Sequence, residues 1–386
     1  MLHDNPIVYI TYISHLLVQE RQLYPNPAAE SKVHYITEKA KKTEAVEIVS
    51  LARSMRRGVS FPEVTFAIND CTSFTALADH EPCNIIMHKL YSVVWHARVF
   101  KKLLKNKNSE IVIAYHSLED CIELCLAKRI RGFKLILELE EIYQDVVPCS
   151  KVKAYWEKKV IDCADGYILA TEALSKVISP NKPYIVINGT YQAEPDRGVR
   201  FDDGKIHCVY AGTFDPAKGG AAAAIEAATF LPEKYHIHIL GFGTEEQKEK
   251  LLRQIEDVQR KTKCTLTYDG LKSGEEYIRF LQKCKIGLCT QIPDAKYTET
   301  SFPSKVLVYL ANGLRVLSVR IPAVEDSAVG KILYYYDKQS PQEIANAIMC
   351  IPIEGNYDSR KLLNQLDKAC EKDIKWLMEK VNDAIN

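Results

Sequence analysis

No surplus of one charge marks this chain: 51 Lys and Arg stand against 50 Asp and Glu, a formal net charge of +1. The summed field cannot gather a polyanion, so nucleic acid is not an expected partner, and an anionic ligand must be held by a local arrangement. Glycine, at 17 residues in 386, is far too scarce for a collagen-like chain, and a composition 47% apolar and 26% charged excludes a disordered one. There is no low-complexity segment and no short repeat. No apolar run reaches the roughly 18 residues of a membrane span. The opening MLHDNPIVYITYIS sets an acid ahead of its apolar run and has no small-residue cleavage site, so no leader is expected. Twelve cysteines are present, yet there is no Cys-x-x-Cys pair and no matching Cys/His set with zinc-ligand spacing. Most lie in apolar runs, where a thiol packs as a small hydrophobe, and Cys121 and Cys125 share one helix face. Neither a metal nor a disulfide is expected, and the expected compartment is a reducing cytoplasm.

What is present is alternation. Length alone suggests about two to three domains. Short apolar, β-branched runs at 7–14, 64–68, 111–116, 134–140, 166–171 and 184–189 read as buried strands. Between them lie helical patterns such as 87–104 and SLEDCIELCLAKRI, whose Ser117 and Asp120 have capping-box spacing. Strands alternating with helices predict parallel sheets with right-handed crossovers. The stretch 191–205, YQAEPDRGVRFDDGK, is polar and aperiodic and reads as a linker. Six further strands follow at 207–213, 235–243, 265–270, 285–291, 315–321 and 332–337, and 358–384 carries an amphipathic helical pattern. The predicted fold is therefore α/β: two doubly wound, Rossmann-like domains at 1–190 and 206–357, facing across a cleft where ligands collect, with a C-terminal helix at 358–386 that packs back on the first domain.

Two segments suit an anion. In Tyr210-Ala211-Gly212-Thr213-Phe214-Asp215-Pro216-Ala217-Lys218-Gly219 a strand ends in glycine and a Lys-Gly pair opens the Ala-rich helix 220–228, so backbone N–H groups, a helix N-terminus and the Lys218 charge can converge on a phosphate. A plain turn with a solvated lysine has the same sequence. In Thr300-Ser301-Phe302-Pro303-Ser304-Lys305, Pro303 fits a first helical position and Ser301 a cap. Two lysine-bearing rims suit a diphosphate, and Gly241-Phe242-Gly243 adds a third loop that a ligand can approach closely. Among the remaining residues, Glu138, Glu140 and Glu141 end a strand where carboxylates suit an acceptor-side or structural role, while His236 and His238 alternate on a strand and are read as packing.

The order YAGTFDPAKG, ILGFGTEEQKEKL, LTYDGLKSGEEYIRFLQKCKIGLCTQ, TSFPSKVLVYLANGLRVLS, IPAVED over about residues 206 to 337 resembles the donor-binding half of GT-B glycosyltransferases of the retaining family-4 type. The resemblance implies transfer of a hexose from a nucleoside diphosphate sugar to a hydroxyl acceptor, in polysaccharide, capsule or cell-envelope glycan synthesis. It places the donor on Gly212, Thr213, Lys218, Gly241, Gly243, Thr300, Ser301, Phe302, Pro303, Ser304 and Lys305. It gives catalytic roles to His116, at the end of IVIAYH, to Lys218 and to Glu299, and an acceptor side to Asn26, Glu30 and Lys32. The chain departs from the family pattern at Thr213, where an Arg is usual, and at Thr300 and Val308, where two Glu are usual. No Asp-x-Asp tripeptide occurs, so neither a metal nor another cofactor is expected. The acceptor is expected to be lipid-linked or a glycan. The basic stretches 101–107 and 128–134 offer peripheral contact with anionic lipid at the inner membrane face, at about 1 kcal/mol per basic residue. A sugar-nucleotide epimerase of the same architecture and a transferase-like regulatory subunit are the other readings.

Overall fold

The structure, a computed structural model, describes residues 6–23, 27–108, 110–146, 148–216, 218–293 and 299–383. Its chain divides into two compact units, Met1–Ile187 with Ala369–Asn386, and Asn188–Lys368. Among the described residues no helix is long and apolar enough to cross a membrane.

The first unit carries β1 (Ile7–Thr11), β2 (Val46–Ser50), β3 (Ser60–Phe61), β4 (Val64–Asn69), β5 (Thr72–Ala76), β6 (Asp79–His80), β7 (Ile111–Tyr115), β8 (Lys134–Leu139), β9 (Gly166–Leu169) and β10 (Tyr184–Val186). Eight of them form one sheet in the order β10-β9-β8-β7-β1-β2-β5-β4, while β3 and β6 pair apart. Neighbours run parallel except β4, which lies antiparallel to β5 at the edge. Val8, Ile10, Val112, Ala114, Leu135 and Leu137 face a core shared with Trp95 and Val99 of the helix Ile85–Leu103, Leu124 of the helix Cys121–Arg131 and Val160 of the helix Lys151–Cys163. Each such aliphatic side chain, fully buried, contributes roughly 1.5–3 kcal/mol.

Two expectations change here. The run 64–68 is not a buried strand: β4 is the exposed-edge strand, and Ile68 is 38% exposed. The buried one is β5, Thr-Ser-Phe-Thr-Ala, whose polar look conceals it. Thr75 donates from Oγ1 to Glu47 at 2.7 Å and lies 2.9 Å from the Thr65 hydroxyl, so its hydroxyl is satisfied inside the sheet.

The second unit carries β11 (Ile206–Thr213), β12 (Tyr235–Phe242), β13 (Thr265–Gly270), β14 (Ile286–Cys289), β15 (Arg315–Val319) and β16 (Tyr334–Tyr336), in the all-parallel order β13-β12-β11-β14-β15-β16. Counted along the chain this is 3-2-1-4-5-6, the order of dinucleotide-binding sheets. The stretch 191–205 has no helix or strand and counts with this unit, held by Glu194 N to Ala311 O at 2.9 Å and Arg197 N to Gln282 Oε1 at 2.8 Å. The last helix, Ser359–Asp383, is tied at its start by Ser359 Oγ to Leu310 O at 2.7 Å. Further on it lies so close to β9 that a Cβ on Gly166 would sit 2.7 Å from Val381.

Candidate functional site

In the second sheet the chain changes direction between β11 and β14, and a doubly wound sheet opens a crevice at the carboxyl ends of such strands. Gly212, near the end of β11, pairs in register with Gly241 on β12. Gly241 has φ +136°, and a Cβ there would lie 1.7 Å from the Gly212 carbonyl oxygen. A Cβ on Gly212 would meet Lys305 Nζ at 2.7 Å. The missing side chain of Gly212 therefore leaves the space into which the Lys305 ammonium reaches, and that of Gly241 lets the two strand ends approach. That ammonium lies 4.1 Å from the centre of the Tyr210 ring, which fixes it in place.

Tyr210 supports the loop from below. Its hydroxyl donates to Thr213 O at 3.2 Å, and its ring edge would stand 2.8 Å from a Cβ on Gly220. From β14, Thr290 Oγ1 donates to Gly220 O at 2.7 Å and Ile292 N donates to Lys218 O at 3.2 Å. The helix Gly220–Ala227 then starts behind Gly219, which is left-handed at φ 62° and provides no side-chain cap. Its first N–H groups are open to an anion. Lys218 is exposed in this loop, as is Thr213. Tyr210 and Thr290 are working parts that the sequence reading missed; an aromatic two residues before the strand-end glycine was the available signal.

The second rim differs from expectation. The helix begins at Lys305, not Pro303, and runs to Ala311, with Ser304 as N-cap making no side-chain cap bond. Ser301 and Pro303 precede it; Pro303 O accepts from Val306 N at 3.0 Å in a tighter turn, which delays the helix. Phe302 is buried, Thr300 and Ser301 half-buried, and Glu299 exposed. Tyr309 ties this helix to the sheet: its hydroxyl accepts from Ala211 N at 2.8 Å, and a Cβ on Gly287 would lie 2.4 Å from its ring. Gly243 is exposed beside Gln247, which closes a capping box with Thr244.

In the first sheet the corresponding change of direction lies between β1 and β7. His116 follows β7 there, but its side chain does not project outward. It is 0% exposed, with Nδ1 3.2 Å from the Glu141 carbonyl, Nε2 3.5 Å from Glu157 and Tyr143 against the ring. Burial lowers its pKa to about 4, so the imidazole is neutral at physiological pH. Ser117 does not cap the following helix, which begins at Cys121 with Asp120 at the cap position and no side-chain cap bond. Asp120 is buried, with the Tyr12 hydroxyl as its polar neighbour. Burial pushes this carboxyl up to about 7 against the pull of the Tyr12 hydrogen bond, with Glu123 adding a smaller push upward.

Glu138, at the end of β8, is likewise pushed up by burial to about 7, against the pull of Lys32. Tyr9 donates its hydroxyl to Glu138, and Lys32 bonds Glu140 and lies 3.7 Å from Glu138. Lys32 is thus 5% exposed inside a carboxylate cluster and not an open acceptor contact. Glu30 accepts from Ser14 N at 3.3 Å. Asn26 lies outside the described residues. The carboxyls of Asp120 and Glu138 are both buried, and burial favours their protonated forms.

No family model matches the sequence, and no curated protein matches it. Solved structures do. HepE from Anabaena, in complex with UDP, matches at TM-score 0.63 and 12% identity over 98% of this chain and 99% of its own. The α,α-trehalose 6-phosphate synthase of Burkholderia multivorans matches at 0.64 and 10% over 99% and 95%. The E. coli trehalose-6-phosphate enzyme bound with UDP-2-fluoro glucose matches at 0.64 and 9% over 97% and 98%. These are GT-B glycosyltransferases, and over nearly its whole length this chain has their α/β fold of doubly wound parallel sheets.

Proposed function

We propose that the chain is a glycosyltransferase that moves a hexose from a nucleoside diphosphate sugar to a hydroxyl acceptor, with retention and without a metal. The observation that carries this reading is the Lys305 ammonium, fixed over Tyr210 in the space left by Gly212, with the helix Gly220–Ala227 starting without a side-chain cap behind the same strand end. Charge developing on the departing diphosphate meets preformed positive charge there, with Lys218 as a second, mobile cation. Phe242 and Leu271, 55% and 66% exposed at the ends of β12 and β13, offer apolar surface for a nucleobase. HepE and the trehalose-6-phosphate enzyme hold UDP and a UDP-sugar on the same fold, which supports uridine as the base. Calorimetry with UDP, GDP and ADP in excess EDTA tests the donor site. One of them, with UDP expected first, should bind with one-to-one stoichiometry; binding of none sinks the reading.

The acceptor, in this reading, is lipid-linked or a growing envelope glycan. Helices Ile85–Leu103 and Cys121–Arg131 pack against each other and leave Leu90, Val93 and Ile130 59%, 67% and 63% exposed, and Lys101 and Arg129 on the same two helices are exposed as well. An apolar stripe edged by cations suits an anionic membrane face. Some expected cations are engaged internally: Lys102 pairs with Glu47 at 2.6 Å, and Lys128 pairs with Asp165. Wild-type protein should sediment with phosphatidylglycerol vesicles at low salt and be released at high salt, and an Ile130→Ser, Arg129→Gln variant should stay in solution. Protein that ignores such vesicles has a soluble acceptor.

A further inference from the structure

Three histidines meet on one face of the second sheet. His207 on β11 stands opposite His236 on β12, and His238, two residues on, shares that face opposite Thr267 of β13. One nitrogen from each of the three lies within 4.8 Å of the others. His207 Nδ1 and His238 Nε2 are 2.9 Å apart. Their outer nitrogens face carboxylates: His207 Nε2 is 2.8 Å from Asp203, and His238 Nδ1 is 2.9 Å from Asp269. His236 stacks on His238 at 3.9 Å between ring centres, with Nε2 3.1 Å from the Thr267 hydroxyl. His207 and His238 are each 3% exposed, and Phe201 lies over both rings at 4.0 and 5.1 Å. Lys205 points away, to Thr265.

When each outer nitrogen donates its N–H to a carboxylate, the two facing inner nitrogens are left with lone pairs only. Buried lone pairs at that distance repel, and something electron-poor must sit between them. We propose that this is a transition-metal dication of the zinc class, ligated by His207, His236 and His238, with Asp203 and Asp269 orienting the rings from behind. Tetrahedral bonds of about 2.0–2.1 Å need ligand nitrogens roughly 3.3 Å apart, so the inner pair opens by about 0.4 Å, while His236, within 4.8 Å, must turn out of its stack on His238 to bring a nitrogen in. Carboxylate behind histidine behind metal is the recurrent outer-shell arrangement. The charges also close, since a dication balances Asp203 and Asp269 while neutral imidazoles add none. The ion would fasten the segment carrying Phe201 and Asp203 to the sheet. The cluster stands near the starts of β11 and β12, away from Gly212 and Gly241, and does not depend on the proposed transfer reaction. Closely spaced Cys and His do not mark this site in the sequence, where no metal is expected; separate strands bring the ligands together.

The full chain, stripped with chelator and dialysed, is titrated with Zn²⁺ and with Co²⁺ as the visible reporter. One equivalent should bind at micromolar protein, with a cobalt spectrum of tetrahedral intensity and no thiolate charge-transfer band. His207→Gln and His238→Gln should weaken it at least 100-fold. Because those side chains are buried, the half-buried His236→Gln and the rim variant Asp203→Asn give a second series, the latter expected to weaken binding about 10–100-fold. Zinc should raise the melting temperature of the wild type and not of folded His236→Gln. No stoichiometric binding, a thiolate band, or equal affinity in folded His236→Gln and Asp203→Asn overturns the proposal and leaves a proton bridging the imidazoles.

Discussion

Lys305→Ala is expected to raise the Kd for UDP about 10–100-fold and to slow UDP-sugar turnover about 10²-fold or more. The first figure follows from losing one charge-assisted contact to a phosphate, about 1.5–3 kcal/mol, and the second from removing one preorganised charge from a developing anion. Lys218→Ala should cost less, roughly tenfold, although both carry one charge. Lys305 is held over Tyr210 before any ligand arrives, whereas exposed Lys218 must give up side-chain freedom to engage. Melting should move little in either variant, since a ring-stacked cation at a half-exposed position contributes about 0.5–1 kcal/mol. Calorimetry and UDP release from UDP-glucose read both numbers. Unchanged UDP affinity in Lys305→Ala would make that lysine a packing residue and empty the proposed donor site of its main charge.

The second large effect is on stability, at Asp120. Burial holds its carboxyl at about 7 in the folded chain, above an unfolded value near 3.8. A carboxyl raised in this way favours the folded state only while protonated. Its contribution is fully present below about pH 4, falls as pH rises, and is gone above about pH 7. Three units correspond to about 4 kcal/mol at most. Asp120→Asn cannot ionise, so its melting temperature minus that of the wild type should climb by several degrees between pH 4 and pH 8. The new amide's own unpaired N–H sets a constant offset, so the slope is what counts. A flat difference across that range would mean that water or a cation reaches Asp120 and keeps it charged.

The strands of the second unit were legible because each is a β-branched or aromatic run with a helix pattern between, and β11 to β16 all fall where those runs do. In the first unit the same rule fails at β5, whose buried Thr and Ser look like loop residues until Glu47 and Thr65 are seen to satisfy Thr75. It fails at β2 as well, a short strand with a glutamate in it. Helix starts were misread at Ser117 and Pro303, which come three residues before the Asp120 cap and two before Lys305; at the second a tight local turn, Val306 N to Pro303 O at 3.0 Å, delays the helix. Of the site, Gly212, Gly241 and Lys305 were legible as a pattern. The burial of His116 and Lys32 was not, because a strand-end position says which rim a residue occupies and not what closes over it.

Gly212 and Gly241 touch each other so closely that the shape of the phosphate loop and the pairing of β11 with β12 are one property. An added carbon at Gly241 strikes the Gly212 carbonyl and is felt first as lost sheet, whereas one at Gly212 displaces the Lys305 ammonium, so neither position is free to retune the proposed donor site. Engineering of nucleotide or sugar preference is therefore channelled outward, to the exposed Thr213, Lys218, Phe242 and Leu271, whose side chains can change while the strand ends beneath them stay as they are. A library confined to those four positions should keep nearly every member folded, and one that includes Gly241 should lose most of its members before selection begins.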